Sequence, residues 1–164
     1  MNDAFIYGAG DAKLGSIVEP KASESRQGRI GADLRRSFLS KTAGLGQLIS
    51  DVQRTFRRRR YLIGLDGRRL NARSAHSSLN TLLQGGGAIV MKEATVLQWS
   101  KTQLLGAEPA LHVHDEYQML VPDENAEEAG KAMVNGIVES GINFNLNCPL
   151  AGEYKIGTNW SETH

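Results

Sequence analysis

The sequence predicts an α+β fold in which helices come first and a hairpin, a helix and a strand follow. Three observations support this prediction. Apolar residues recur at helical spacing in two segments before residue 60. An Asp-Gly pair at 66–67 separates two short runs, as in a β-hairpin. After Pro109, two short alternating segments flank three polar residues, which is typical of a second hairpin.

The first part of the chain is predicted to form two packed amphipathic helices. One runs from about Ser23 to Ser40, and its narrow apolar stripe has four-residue spacing: Ile30, Leu34 and Phe38. The second runs into a cluster of arginines, and its apolar face consists of Leu45, Leu48, Ile49, Val52 and Phe56. Before them, Met1–Gly10 is the end of an apolar segment closed by glycines, which permit tight backbone geometry.

A hairpin and a long helix follow. Tyr61 to Arg73 has the pattern of a hairpin with a two-residue turn at Asp66-Gly67. Ser74 to Leu105 is predicted to form one long helix with several leucines and valines at apolar positions. Three consecutive glycines at 85–87 would each cost this helix about 1 kcal/mol relative to alanine. We therefore expect close packing or a kink there.

The C-terminal part is predicted to be hairpin, helix and strand. The segments ALHV and YQMLV are joined by His114, Asp115 and Glu116, which places both acids at a hairpin tip. Asp123 is expected to cap a helix that runs to about Ser140. The segment 142–150 is expected to return as a strand.

Composition narrows the class of protein. The chain has 164 residues, a net charge of +1 and one cysteine, Cys148. A disulfide framework and a zinc knuckle are therefore excluded, and a reducing cytoplasm fits. The sequence has no charged-then-apolar leader and no apolar run near the roughly 20 residues that span a bilayer.

Charge is distributed unevenly along the chain. Between Arg54 and Arg73 there are eight arginines, opposed only by Asp66. From Glu108 to Glu139 acidic residues predominate. Such an arginine cluster serves either as a solvated surface or as a binding surface for nucleic-acid phosphates, and the residues alone leave both interpretations open.

The sharpest local feature is His114-Asp115-Glu116. Adjacent carboxylates are difficult to accommodate unless a positive charge lies beside them, and Mg²⁺ binds one or two protein carboxylates together with water and phosphate oxygens. A polar hairpin tip without function is the alternative. A zinc or iron site is a further hypothesis, because His112 and His114 lie on one face of a strand next to Asp115.

Several motifs in order resemble family A (DNA polymerase I type) DNA polymerases. The sequence VHDE at 113–116 followed by YQ resembles motif C, and RSAHSSLNTLLQ at 73–84 resembles the segment before it. FIYGAGD at 5–11 is similar to the end of the fingers-helix motif B, and IGLDGRRLNARS is similar to the intervening hairpin. GTNW near the C-terminus is similar to the ending of phage replicative members.

The resemblance implies both a fold and a reaction for this chain. Residues 1–60 would be a partial, helical fingers region, and 61–164 the hairpin, the long helix and the C-terminal palm. The implied reaction is template-directed transfer of nucleotides from deoxynucleoside triphosphates onto primer-template DNA with two Mg²⁺ ions. Asp115 matches the catalytic aspartate that binds both ions and Glu116 the supporting carboxylate. His114 matches the histidine near the primer terminus.

Further matches concern DNA. Asn80 and Gln84 match residues that contact the minor-groove edge near the new base pair, and they lie one helical turn apart. Tyr7 matches a tyrosine beside the templating base. Arg73 matches an arginine directed at the nucleic acid, and Arg68, in the arginine cluster, is expected to bind DNA as well.

Departures from the family pattern suggest that the catalytic site is incomplete. The cations that bind the triphosphate are absent, Asp3 stands where an aromatic residue is expected, and motif A with its aspartate is missing. Gly85 and Gly86 replace less flexible residues. Three hypotheses follow for the 164 residues: a subunit that needs a complementing polymerase polypeptide, a remnant without catalysis, or a DNA-binding module that acts through its arginines.

Overall fold

The structure, a computed structural model, describes residues 8–163. These residues separate into two compact units, with the boundary between Gly85 and Gly86. Helices predominate, and the strands form two antiparallel hairpins, which agrees with the predicted α+β class. The predicted division between residues 60 and 61 into fingers and palm stays a prediction. No helix in the described part is long and apolar enough to cross a bilayer.

The first unit begins with three helices: α1 (Asp11–Val18), α2 (Glu24–Lys41) and α3 (Leu45–Arg59). The two helices predicted by periodicity are confirmed within a few residues, whereas α1 was not predicted. Ser23 caps α2, because its side chain accepts a hydrogen bond from the Arg26 backbone amide at 3.4 Å.

Glycines bring α1 and α2 into backbone contact. A Cβ atom at Gly15 would lie 1.8 Å from the Gln27 carbonyl oxygen, and one at Gly31 would lie 1.8 Å from that of Asp11. Atoms cannot approach so closely, so each of these two positions requires a residue without a side chain. The contact explains why α1, a short helix with an interior glycine, is stable in its tertiary context although its sequence is a weak helix former.

The first hairpin pairs β1 (Leu62–Ile63) with β2 (Arg69–Leu70), as expected. The expected two-residue turn is wrong. The Gly67 amide bonds to the Gly64 carbonyl at 3.0 Å, so Leu65 and Asp66 form the centre of the turn, and Gly67 follows with φ +82°. One extra residue with positive φ is the usual three-residue hairpin connection. The core beneath is Val52, Phe56, Leu62 and Leu79.

The long helix α4 (Ser78–Thr102) is confirmed, and the 3₁₀ turn Gln103–Leu105 extends it. It starts four residues later than predicted, since Ser74 and Ser77 exchange side-chain to backbone hydrogen bonds that compete with helix formation. The three glycines lie inside a continuous helix. Close packing explains Gly85, where a Cβ would lie 2.9 Å from Leu70 Cδ1, but not Gly87, which faces open space.

In the second unit, β3 (Glu108–Val113) pairs with β4 (Glu116–Leu120), with an irregularity between Pro109 and Leu111. The helix α5 (Ala126–Asn143) contacts the second half of α4, where a Cβ at Gly136 would lie 2.7 Å from Gln98 Cγ. Buried polar groups join the two helices: Gln98 Nε2 donates to the Met133 carbonyl at 3.0 Å, and Ser140 Oγ donates to that of Val90 at 2.8 Å.

Two predictions in this unit are wrong. Asp123 begins a 3₁₀ turn, Asp123–Asn125, so Asn125 rather than Asp123 precedes α5, and it makes no side-chain cap. The segment 142–150 is not a strand: Asn145 has φ +50°, and the Leu146 amide bonds to the Gly141 carbonyl at 3.0 Å. This is a Schellman-type helix end, in which the chain reverses. A short helix, α6 (Trp160–Thr163), follows.

Candidate functional site

The second hairpin presents Asp115 at its tip, and Glu116 follows in β4. Val113 pairs with Glu116, so His114 and Asp115 form the two-residue connection, and both are exposed. His114 has φ +55°, a conformation that favours glycine. Glu116 lies in β4 rather than at the tip, which corrects the prediction that all three residues join the strands. It is half-buried and accepts a hydrogen bond from Gln118 Nε2.

A set of side chains connects this hairpin to α4. The Tyr117 hydroxyl donates to the Met91 carbonyl oxygen, and Thr95 Oγ1 lies 3.1 Å from that hydroxyl and 2.8 Å from the same carbonyl. Burial raises the pKa of the Tyr117 phenol, more than the hydrogen bond with Thr95 lowers it, so the hydroxyl stays protonated at neutral pH. On the neighbouring strand, His112 packs on the Tyr117 ring with centroids 4.3 Å apart.

The donor set at the tip fits a hard cation better than zinc. Asp115 and Glu116 offer carboxylate oxygens, which Mg²⁺ binds together with water and phosphate oxygens. Within residues 8–163, no group of three or more histidine, cysteine, aspartate or glutamate side chains could hold a metal ion. His112 Nε2 lies 3.2 Å from the His114 carbonyl oxygen and donates to it, which leaves Nδ1 as the ring nitrogen that could bind a metal ion.

In the first unit, Asn80 and Gln84 lie one turn apart on α4, as predicted. Gln84 is exposed, whereas the Asn80 Oδ1 atom is buried and has no hydrogen-bond partner within the described part of the chain. An unpaired buried acceptor is costly and calls for an explanation. Asn80 borders a cavity of about 380 Å³ that His76 and Arg35 also line.

The remaining predicted DNA-binding residues differ in how available their side chains are to a ligand. Arg73 is exposed. Arg68 is exposed but paired with Asp66 at 2.6 Å, which reduces the charge it offers to a phosphate. Tyr7 lies outside the described residues.

The arginine cluster is less uniform than the sequence indicates. Arg54 pairs with Asp51, so it is not a free cation. Arg57–Arg60 are exposed at the end of α3, and no ion pair involves them among residues 8–163. Arg60 has φ +67° and lies over the Phe56 ring. Four exposed arginines without an ion pair among the described residues therefore lie together at this helix end.

Sequence reasoning missed two anchors of the segment Gly8–Asp11. Arg35 bonds to the Ala9 carbonyl and pairs with Asp11 at 2.7 Å, and His76 Nε2 lies 2.9 Å from the Gly8 carbonyl. It also missed Tyr117. The signal for that residue was a tyrosine in a half-buried strand directly after two acids, because a buried tyrosine hydroxyl usually has a hydrogen-bond partner.

Comparison with known proteins gives one consistent result. The sequence model of DNA polymerase family A matches residues 1–162. The DNA-directed DNA polymerase of Escherichia phage Phieco32 is 36% identical over 98% of this chain and 26% of its own length, and that of Enterobacteria phage T3 is 33% identical over 98% and 25%. The thermostable DNA polymerase I of Thermus filiformis is 36% identical over 77% and 15%. The chain thus spans about a quarter of the phage relatives.

Proposed function

Since the chain belongs to DNA polymerase family A, we propose that it forms part of the fingers and the C-terminal part of the palm of a DNA-directed DNA polymerase. The reaction is template-directed extension of a primer. The primer 3′ oxygen bonds to the α-phosphorus of a deoxynucleoside triphosphate, the 3′ proton is lost, and the bond to pyrophosphate breaks.

The observation that carries the proposal is the tip of the second hairpin. Asp115 is exposed in a two-residue connection, and Glu116 follows at the start of β4. In this position Asp115 can reach a ligand that approaches from solvent, while Glu116, half-buried and bonded to Gln118, is held in place. His114 lies beside Asp115 and would contact the primer terminus.

Asp115, supported by Glu116, would bind Mg²⁺. When bound, two Mg²⁺ ions lower the pKa of the primer 3′ hydroxyl and stabilise charge on the α-phosphate and on pyrophosphate. The role of the protein side chains is to supply oxygen ligands at a fixed position. The oxygen-only donor pair Asp115 and Glu116 supports Mg²⁺ over a softer metal.

Contacts with primer-template DNA are proposed for the first unit. Asn80 and Gln84, one turn apart on α4, would donate and accept hydrogen bonds at the minor-groove edge. Arg73 and Arg68 would contact phosphates. Tyr7 would lie beside the templating base.

We propose that the catalytic site is completed by polypeptide outside these 164 residues. One exposed aspartate with one neighbouring glutamate is too few ligands for two ions, and the relatives are about four times as long. A complementing polymerase polypeptide would supply the motif A aspartate and the cations that bind the triphosphate. The second candidate function, a non-catalytic DNA-binding module, is favoured by the free charge of Arg57–Arg60.

The test is primer extension with Mg²⁺ and four nucleotides. We compare the isolated chain with a chimeric polymerase in which these residues replace the matching C-terminal quarter of the phage Phieco32 enzyme. The chimera is expected to extend the primer, and the isolated chain is not. An isolated chain that binds DNA, together with a folded chimera that binds DNA without extending it, would instead favour the DNA-binding module.

A further inference from the structure

The second hairpin is weakly anchored for an element that carries acidic residues. All six residues of β3 are exposed, and β4 is half-buried except at its end. A two-stranded hairpin is at best marginally stable by itself. The direction of its tip must therefore be set by the few side chains that join it to the rest of the unit.

Side chains of β4 make such bonds at different distances from the tip. Met119 accepts from Thr102 Oγ1 at 3.6 Å, and Gln118 accepts from Thr163 Oγ1 at 3.3 Å. Tyr117, two residues after Asp115, donates to the Met91 carbonyl oxygen of α4. Its hydroxyl therefore joins β4 to α4 close to the turn.

His112 extends this connection to the turn itself. It is the cross-strand partner of Tyr117, and the two rings pack with centroids 4.3 Å apart and an angle of 43°. The His112 Nε2–H group then donates to the His114 carbonyl oxygen at 3.2 Å. An unbroken set of contacts thus leads from the α4 backbone, through Tyr117 and His112, to the peptide group between His114 and Asp115.

We infer that Tyr117 and His112 are positioning residues, which fix the His114–Asp115 turn against α4 so that the carboxylates keep one orientation. The expected effect on catalysis rests on the proposed function. The expected effect on the position of the turn does not. The effect of the two residues passes through the turn, and small displacements of catalytic groups cost large factors in rate.

The test variant is Tyr117→Phe, which removes one hydroxyl and keeps the ring. The Met91 carbonyl keeps Thr95 Oγ1 as a partner, so the variant leaves no buried acceptor unpaired and should fold. Tyr154→Phe is the matched control, because that hydroxyl bonds to Glu127 at 2.8 Å on α5. His112→Phe tests the second contact, since it keeps a ring and loses the donor.

Amide hydrogen exchange on the full chain is the first measurement. Tyr117→Phe and His112→Phe should each accelerate exchange at residues 113–117 by about fivefold, the effect of one neutral hydrogen bond, with no change in α5. Tyr154→Phe should leave residues 113–117 unchanged. Unchanged exchange at the turn, or equal acceleration in α5, would overturn the inference whether or not the chain is a polymerase.

Steady-state extension by the chimera is the second measurement. Tyr117→Phe should lower kcat by about tenfold or more and change KM for nucleotide by less than about twofold, because orientation rather than binding is lost. Unchanged kcat in Tyr117→Phe, with Asp115→Asn inactive, would overturn the catalytic part of the inference and leave the proposed function standing. If Asp115→Asn is fully active as well, the proposed function fails instead.

Discussion

At the scale of single residues, His114 combines a backbone cost with a candidate function. A non-glycine residue at φ +55° costs about 1 kcal/mol or more. A two-residue hairpin connection requires positive φ at one or both of its residues, so this strain belongs to the turn that presents Asp115. Whether the histidine side chain itself is needed there can be tested.

Replacing His114 with glycine should separate the backbone strain at this position from the proposed catalytic role of the side chain. His114→Gly is expected to stabilise the chain by about 0.5 kcal/mol, since the relieved strain exceeds the entropy cost of glycine. Extension by the chimera should fall by about tenfold or more. Urea unfolding and primer extension are the measurements.

The control for that comparison is Asn145→Gly, at another position with positive φ in the same unit. It should affect stability in the same direction and leave extension unchanged, since Asn145 ends α5 and has no proposed catalytic role. A His114→Gly variant as active as the unmodified chimera would remove this histidine from the site.

The sequence predicted single residues well where a local pattern places them. Asp115 lies at the hairpin tip as predicted, because alternation and turn residues mark both strands, whereas Glu116 belongs to β4. The bond from Tyr117 to Met91 could not be predicted in this way, since the two residues are 26 positions apart and their contact depends on the packing of β4 on α4. Arg35 and His76 were missed for the same reason.

At the scale of elements, periodicity identified α2, α3 and α4, and its errors have definite causes. The helix α1 was missed because its stability comes from contact with α2 rather than from propensity. The strand expected at 142–150 failed because Asn145 adopts positive φ and ends α5 with a reversal. The cap assigned to Asp123 failed because a 3₁₀ turn lies between it and α5.

The backbone contact between α1 and α2 gives a prediction at this scale. Gly15→Ala should destabilise the first unit by about 2 kcal/mol or more, because the added Cβ would lie 1.8 Å from the Gln27 carbonyl oxygen. The free energy of unfolding in urea is the measurement.

Gly28→Ala is the matched control. Gly28 lies in α2 and faces open space, so alanine there should be neutral or stabilising by up to about 1 kcal/mol. Equal stability of the Gly15→Ala variant and the unmodified chain would show that α1 does not pack on α2 in this way.

At the scale of the whole molecule, positive and negative charges are distributed unevenly between the two units. The exposed arginines lie in the first unit and the acidic hairpin in the second. A net charge of +1 conceals this, so the total says little about partners. Binding to a polyanion should depend on the local cluster and not on the sum.

Affinity for primer-template DNA should therefore depend strongly on salt. Charge reversal of Arg57–Arg60 is expected to weaken binding to all sequences alike and to reduce the slope of log affinity against log salt by up to about 4. The measurement is fluorescence anisotropy between low and physiological salt.

Arg36→Glu serves as the control, since Arg36 already pairs with Asp33 on α2. It should change the slope by less than about 1. A dissociation constant of the unmodified chain that hardly varies with salt would mean that the cluster is a solvated surface.

We propose Asp115 as the catalytic carboxylate of a family A polymerase palm, and a comparison of two aspartates of one unit tests this assignment most directly. Primer extension by the chimera is measured with Asp115→Asn and with Asp123→Asn, alongside DNA affinity. Asp123 is also exposed, but it begins a 3₁₀ turn.

Asp115→Asn should lower the extension rate by about 100-fold or more with DNA affinity unchanged, because a charged ligand of the metal site is lost. Asp123→Asn should stay within about twofold of the unmodified chimera, since Asp123 is an exposed residue of a 3₁₀ turn outside the second hairpin. Equal extension rates for the two variants would contradict the assignment of Asp115.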